Sequence, residues 1–229
     1  MSQTHDDMTA RREDPPCVGS LPELIRGAKR LAERDPRALL GITGPPGVGK
    51  STLANEVVRQ VGDTARLVEM DGFHLPQARL AELGSLGRMG AIDTFDATGF
   101  VALVASLRTP GENTIYAPEF RRDIGESIAD ARPIEPSVQL VVIDGNYLLM
   151  SEKPWGALRE LIDEMWYCER DEKARIASLI DRHRAHGKSP DEARRWALGS
   201  DQRNAELIKR TRSRADLIAV LDDVLSPGA

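Results

Sequence analysis

Apolar residues follow two rhythms along this chain, and the switches between them mark its elements. Short continuous apolar runs occupy 37–43 (RALLGIT), 65–70 (ARLVEM), 137–149 (SVQLVVIDGNYLL), 163–169 (DEMWYCE) and 215–221 (ADLIAVL), and each predicts a buried strand. Between them, apolar residues recur three and four positions apart over 21–34, 50–61, 96–109, 171–186, 190–198 and 201–213, which predicts helices. In 50–61 the residues Leu53, Val57 and Val61 share one face. Ser20 is a candidate N-cap for the first helix, and Asp96 or Thr98 for the helix at 96–109. Residues 75–95 hold neither period and read as irregular, while 113–120 (NTIYAPEF) reads as a short strand broken by Pro118. Strands of this kind alternating with helices predict an α/β fold, a parallel sheet covered on both faces. In such folds ligands bind beyond the carboxyl ends of the strands.

One segment at such an end carries the clearest chemistry. Gly44-Pro45-Pro46-Gly47-Val48-Gly49-Lys50-Ser51, followed by Thr52, fits the phosphate-loop pattern G-x-x-x-x-G-K-[ST] without a mismatch. Its backbone N–H groups cradle phosphates, Lys50 reaches the β- and γ-phosphates, and the Ser51 hydroxyl holds Mg²⁺. The apolar run before it and the helical period after it supply the strand–loop–helix context that the motif requires.

Two aspartates end other strands. Asp144 closes LVVID and is the expected Mg²⁺ partner of the loop. Asp71, followed by Gly72, ends ARLVEM and is a candidate for the carboxylate that takes a proton from an acceptor hydroxyl; a turn-forming Asp-Gly pair is the competing reading. Phosphoryl transfer spreads negative charge over oxygens, so a basic lid is also expected. Residues 171–214 carry 12 Lys and Arg against 7 Asp and Glu in a chain of net charge −5. Arg182 and Arg184 precede a hinge-like HGKSP, and a regular helix cannot point both at one phosphate. His183 and His186 form H-x-x-H without a third ligand at zinc-site spacing, so they are expected on the helix surface.

Composition narrows the setting. With 229 residues, 41% hydrophobic and 29% charged, the chain suits one globular domain. Cys17 and Cys168 lie far apart and predict free thiols in a reducing cytosol. The polar N-terminus lacks an apolar signal core, and no apolar run reaches membrane-span length, which predicts a cytoplasmic protein without a membrane partner. The expected organisation is a disordered tail at 1–18 and a single domain at 19–229 with its lid at about 171–200. Only 4% of residues are aromatic, so a nucleic-acid role is not expected.

The motifs GPPGVGKST, EMDGFH, GAIDTFD, YAPEF, VVIDGNYLL, RHRAHGKS and DQRNAELIKRTRSRAD occur in the order seen in the uridine kinase, pantothenate kinase and phosphoribulokinase group. The chain resembles that group from about residue 20 onward, and within it the small bacterial nucleoside/nucleotide kinase or fructose-transport-system kinase-like proteins. The resemblance implies a P-loop NTPase three-layer α/β/α sandwich, a five-stranded parallel core of order 2-3-1-4-5 and a helical lid. It implies ATP and Mg²⁺, a small-molecule hydroxyl as acceptor, and a possible homodimer. It makes Asp71 the catalytic base; beside it, Lys50 and one of Arg182 and Arg184 are the candidates for the phosphates, and His74, Arg88, Tyr116, Phe120, Arg121 and Asn146 are the candidates for the acceptor. Arg121 and Arg122 either bind an anionic or polyhydroxylated acceptor or pair with Glu119, Asp123 and Glu126. Two departures bear on the acceptor: Gly72 stands where uridine kinases usually carry Ser, and Arg88–Asp96 lacks the usual Lys and Pro. A GTPase switch is disfavoured because N-K-x-D is absent. An ATP-binding regulator without transfer is the alternative to a kinase.

Overall fold

The computed structural model describes residues 14–109 and 111–222. In chain order the elements are β1 (Cys17–Val18), α1 (Leu21–Ala32), β2 (Ala38–Thr43), α2 (Lys50–Val61), β3 (Ala65–Glu69), α3 (Gln77–Glu82), α4 (Ala97–Arg108), β4 (Ile115–Arg121), β5 (Glu126–Ile134), β6 (Leu140–Asp144), α5 (Leu158–Leu161), β7 (Glu164–Glu169), α6 (Glu172–Ala185), α7 (Pro190–Leu198), α8 (Ser200–Lys209) and β8 (Leu217–Val220). Six strands form one sheet, ordered β1-β8-β7-β2-β6-β3, and every pairing in it is parallel.

The apolar runs explain the layers. In β2, Leu39 joins the core on one face, while Leu40 and Ile42 join the core on the other. In β6, Val141 and Ile143 face the first core and Leu140 and Val142 the second. Successive strand side chains point to opposite faces, so an unbroken apolar run fills both. Phe100, Val104 and Leu107 of α4 cover the first face. Leu24 and Leu31 of α1, with Leu53 and Val57 of α2, cover the second.

Leaving β1 aside, the sheet reads 2-3-1-4-5 in strand order, as the resemblance implied. The extra strand corrects two expectations. The parallel core has six strands rather than five, and the tail does not extend to residue 18. Cys17 and Val18 pair with Ile218 and Ala219 at the open edge of β8, and Val18 packs on the core. An unpaired sheet edge is a template for such an addition. Residues 1–13 lie outside the described residues.

A second, two-stranded antiparallel ribbon, β4–β5, stands beside the sheet. Pro118 does not break β4; a register shift between Ala117 and Glu119 absorbs the donor that proline lacks. Sequence periodicity does not mark β5, because only Ile134 in it is buried and the rest alternates no apolar face toward the core. The ribbon presses on the turn Met70–Phe73, where a Cβ on residue 72 would lie 2.4 Å from the Pro118 carbonyl oxygen. Gly72 is therefore a packing requirement of this ribbon.

Candidate active site

β2, β3 and β6 end side by side, and Glu69 is the direct cross-strand neighbour of Asp144. Beyond these ends lies a cleft of about 320 Å³. Lys50, Ser51, Asp71, Asp144, Arg122 and Arg182 all line it. A second cavity of about 510 Å³ flanks Pro45 and is lined by Arg170, Lys209 and Arg212.

The phosphate loop is held rigidly from behind. Gly44 and Gly47 adopt φ of 147° and 79°. A Cβ would come within 2.7 Å of the Cys168 carbonyl oxygen at Gly44, and within 2.8 Å of the Arg175 carbonyl oxygen at Gly47. Arg175 is only 1% exposed, and its Nη1 donates to the Pro46 carbonyl oxygen at 2.8 Å. Its remaining donors engage Glu172 and Gln202. The loop leads into α2 through Gly49, which has no side chain to cap the helix. The first N–H groups of α2 therefore face the cleft with the positive end of the helix dipole, a ready site for an anion.

Lys50 is buried, and its Nζ donates to the Pro45 carbonyl oxygen at 3.4 Å. Burial lowers its pKa; Asp144 opposes that shift. Ser51 Oγ donates to Asp144 Oδ2 at 2.5 Å, while Asp144 Oδ1 is buried without a hydrogen-bond partner. Burial raises the Asp144 pKa against the pull of Lys50 and Ser51. A buried carboxylate oxygen with nothing to accept is the chemistry a divalent cation satisfies. Among the described residues no cluster of three or more His, Cys, Asp and Glu could hold a metal ion. That donor set suits Mg²⁺, which keeps waters and phosphate oxygens around one or two protein ligands.

Asp71 sits in the turn after β3 with its side chain 34% exposed. Arg122 Nη2 donates to its Oδ2 at 2.8 Å. Burial alone would raise the Asp71 pKa, but His74, Arg122, Lys50 and Arg182 outweigh it and hold the carboxyl below its usual range. His74 is anchored by Nδ1 on the Asp71 carbonyl oxygen at 2.8 Å. Its ring packs on Phe95 and Phe120, with centroids 4.1 and 4.8 Å away.

Arg182 lines the cleft from α6, and Asn146 lines it just beyond β6. Several sequence-predicted residues are not brought there. Arg184 faces Asp181 on the exposed side of α6, because two residues along a helix turn the side chain to the far face. Arg88 is tied to Asp93 and Ser85. Arg121 is paired with Asp123 at 2.7 Å, and Tyr116 is 52% exposed on the ribbon. Thr52 is exposed on α2. His186 is exposed at the cleft rim, as expected, whereas His183 is half-buried and its Nε2 meets Asp201 Oδ2 at 2.7 Å. Sequence reasoning missed Glu69, Asp201 and Asn204 as lining residues, and the clamp role of Arg175. Their signals, an acidic residue two before Asp71 and polar residues opening a helix, are ordinary without the partners.

Comparison with known proteins agrees with this geometry. Over residues 40–165 the chain matches the model of the ATPase family associated with various cellular activities (AAA). It is 30% identical over 222 residues to "Putative uridine kinase C227.14" of Schizosaccharomyces pombe, covering 91% of this chain and 94% of that one. It is 36% identical over 152 residues to "ATP-dependent kinase-like protein notR'" of Aspergillus versicolor, covering 62% of this chain and 88% of that one. Among solved structures, the "putative fructose transport system kinase" from Silicibacter sp. TM1040 superposes with a TM-score of 0.79 at 35% identity, covering 88% of this chain and 99% of that one. The AAA match spans the nucleotide-binding core, and the likeness to kinases runs through nearly the whole domain; this chain belongs to the uridine kinase-like family of P-loop kinases.

Proposed function

We propose that this kinase transfers the γ-phosphate of ATP to the hydroxyl of a small metabolite, with Asp71 as base and Ser51 and Asp144 as protein ligands of Mg²⁺. One observation carries the reading: the helix N-terminus with Lys50, the Ser51–Asp144 pair and Asp71 open into a single cleft. Lys50 and the α2 N–H groups hold phosphate oxygens, and the cavity beside Pro45, lined by acidic and basic residues alike, receives the nucleoside. Ser51 and Asp144 would hold Mg²⁺, which would supply neutralisation of phosphate charge.

Asp71 accepts the proton of the acceptor hydroxyl as that oxygen forms its bond to the γ-phosphorus. The bond from phosphorus to the bridging oxygen breaks, and its electron pair leaves with ADP. Arg182 lies across the cleft and neutralises the charge that spreads over the moving phosphoryl oxygens. Arg182 rides on the α6–α7 hairpin, which serves as the lid; water exclusion there limits hydrolysis.

The test is ADP release over a panel of hydroxylated acceptors, with the Asp71→Asn protein as blank. Acceptor-dependent ADP release in wild type and none in the variant is expected. ATP binding without acceptor-dependent release from any compound would favour a regulator that keeps the fold.

A further inference from the structure

The acceptor side of the cleft contains a contact that works against the chemistry. Arg122 covers Oδ2 of Asp71 at 2.8 Å. A carboxylate held by a guanidinium has reduced proton affinity and one oxygen occupied, so opening this pair would make Asp71 a stronger base. Of the other cleft carboxylates, Asp144 accepts from Ser51 through Oδ2 and Asp201 is engaged by His183; Arg122 is hydrogen-bonded to Asp71 and not to Glu69, which also lines the cleft. Arg122 sits in the turn at residues 122–125, between β4 and β5. Gln77 Nε2 anchors that turn on the carbonyl oxygens of Ile124 and Gly125 at 3.1 and 3.0 Å. The turn's backbone is thus anchored beside the cleft, and the Arg122 side chain is 46% exposed, with Asp71 as its hydrogen-bond partner among the described residues.

Resting on the kinase reading above, we infer that the acceptor is a hydroxylated anion whose carboxylate or phosphate draws Arg122 off Asp71 and so frees the base. A guanidinium leaves one oxyanion readily only for another of like geometry. A neutral acceptor offers none and leaves the latch in place. The aromatic groups point the same way. Phe95 and Phe120 pack against His74, and Lys188 lies over the Trp196 ring at 4.5 Å. One face of each of these rings is thereby occupied, by a neighbouring ring or by a cation.

The experiment compares matched probes on wild type, Arg122→Met and Arg122→Lys: glycerate beside glyceramide, fructose 6-phosphate beside fructose, and uridine. ADP release gives kcat and KM, and thermal shift without ATP gives binding. At least one charged probe should exceed its neutral partner about tenfold in kcat/KM, and which pair responds separates carboxylate from phosphate. Arg122→Met should raise KM for that probe about tenfold, Arg122→Lys should recover part of it, and with the latch gone the neutral partner should show a higher kcat in Arg122→Met than in wild type. Equal use of charged and neutral probes overturns the inference while leaving the kinase reading intact. A fall in kcat for every acceptor alike also overturns it, since Arg122 would then be a fixed positioning group for Asp71. Arg122-dependent binding of anions without any ADP release would support the anion site and remove the kinase reading. A panel with no Arg122-dependent response in either assay overturns the anion site outright.

Discussion

On the phosphate side of the cleft, charged groups are locked into the scaffold; on the acceptor side they are exposed and paired with one another. Lys50 and Arg175 are buried, and the loop they serve is pressed between Cys168 and α6. Arg122 remains solvent-accessible in the cleft and holds Asp71, and Arg121 and Arg88, outside the cleft, hold aspartates in the same exposed way. The first arrangement suits a ligand portion common to all substrates of the fold. The second suits a portion that varies, because exposed ion pairs exchange partners at little energetic cost. The two arginines of α6 show the same division. Arg175 and Arg182 lie about two turns apart on one helix and share a face. One is a buried clamp on the loop, and the other reaches the open cleft.

The comparison can be broken at either end. The largest effect is expected at Asp71, the group on which both halves converge. Asp71→Asn should lower kcat by about 10²–10⁴-fold with ATP affinity nearly unchanged. Stopped-flow nucleotide binding beside steady-state turnover checks both, and undiminished turnover would sink the base assignment. Lys50→Ala should weaken ATP binding and reduce kcat by about 10²–10³-fold, since it removes a preorganised charge from a water-poor site. Normal ATP affinity and rate there would contradict the phosphate-loop reading.

Arg175→Ala should act on stability and nucleotide affinity together. It leaves the Pro46 carbonyl and Gln202 without a donor and empties a buried site, at a cost of about 3–5 kcal/mol in urea unfolding. If the loss were confined to turnover, Arg175 would be a substrate group and not a clamp.

A smaller effect follows from the charge around Asp71. Its pKa is lowered in the fold, so its carboxylate adds stability above the ordinary aspartate value and loses that contribution as pH falls through the lowered one. The stability gap between wild type and Asp71→Asn should therefore narrow from neutral pH to about pH 3. A gap that widens in acid would mean that burial outweighs the surrounding cations. The smallest change is expected for Arg184→Ala, which faces Asp181 outside the cleft and should keep activity within about twofold of wild type. A loss as large as that of Arg182→Ala would place Arg184 on the phosphates after all.

Most of the sheet was legible because its strands are buried on both faces and leave continuous apolar runs. β1 and β5 were not, since neither buries an apolar face that a period could register. The phosphate-loop motif was legible because close approach to phosphate admits few residue types at fixed spacing, and Asp144 because it closes a continuous apolar run. The acceptor groups divided differently. His74, Phe120 and Asn146 line the cleft, whereas Arg88, Tyr116 and Arg121 turn away from it. A basic residue in a ribbon looks alike whether it meets an aspartate beside it or one across the cleft.

The sequence by itself determined the elements of the nucleotide half of this protein: a phosphate-loop motif between a strand and a helix, and an aspartate closing another buried strand. Those features follow from local backbone constraints and periodic burial, which a linear chain records. Only the tertiary structure decided that Arg122 rather than Arg121 holds Asp71, that Arg175 clamps the loop, and that Pro118 imposes Gly72. Each of these depends on which segments distant in the chain approach within a few ångströms, and side-chain type alone does not encode that distance.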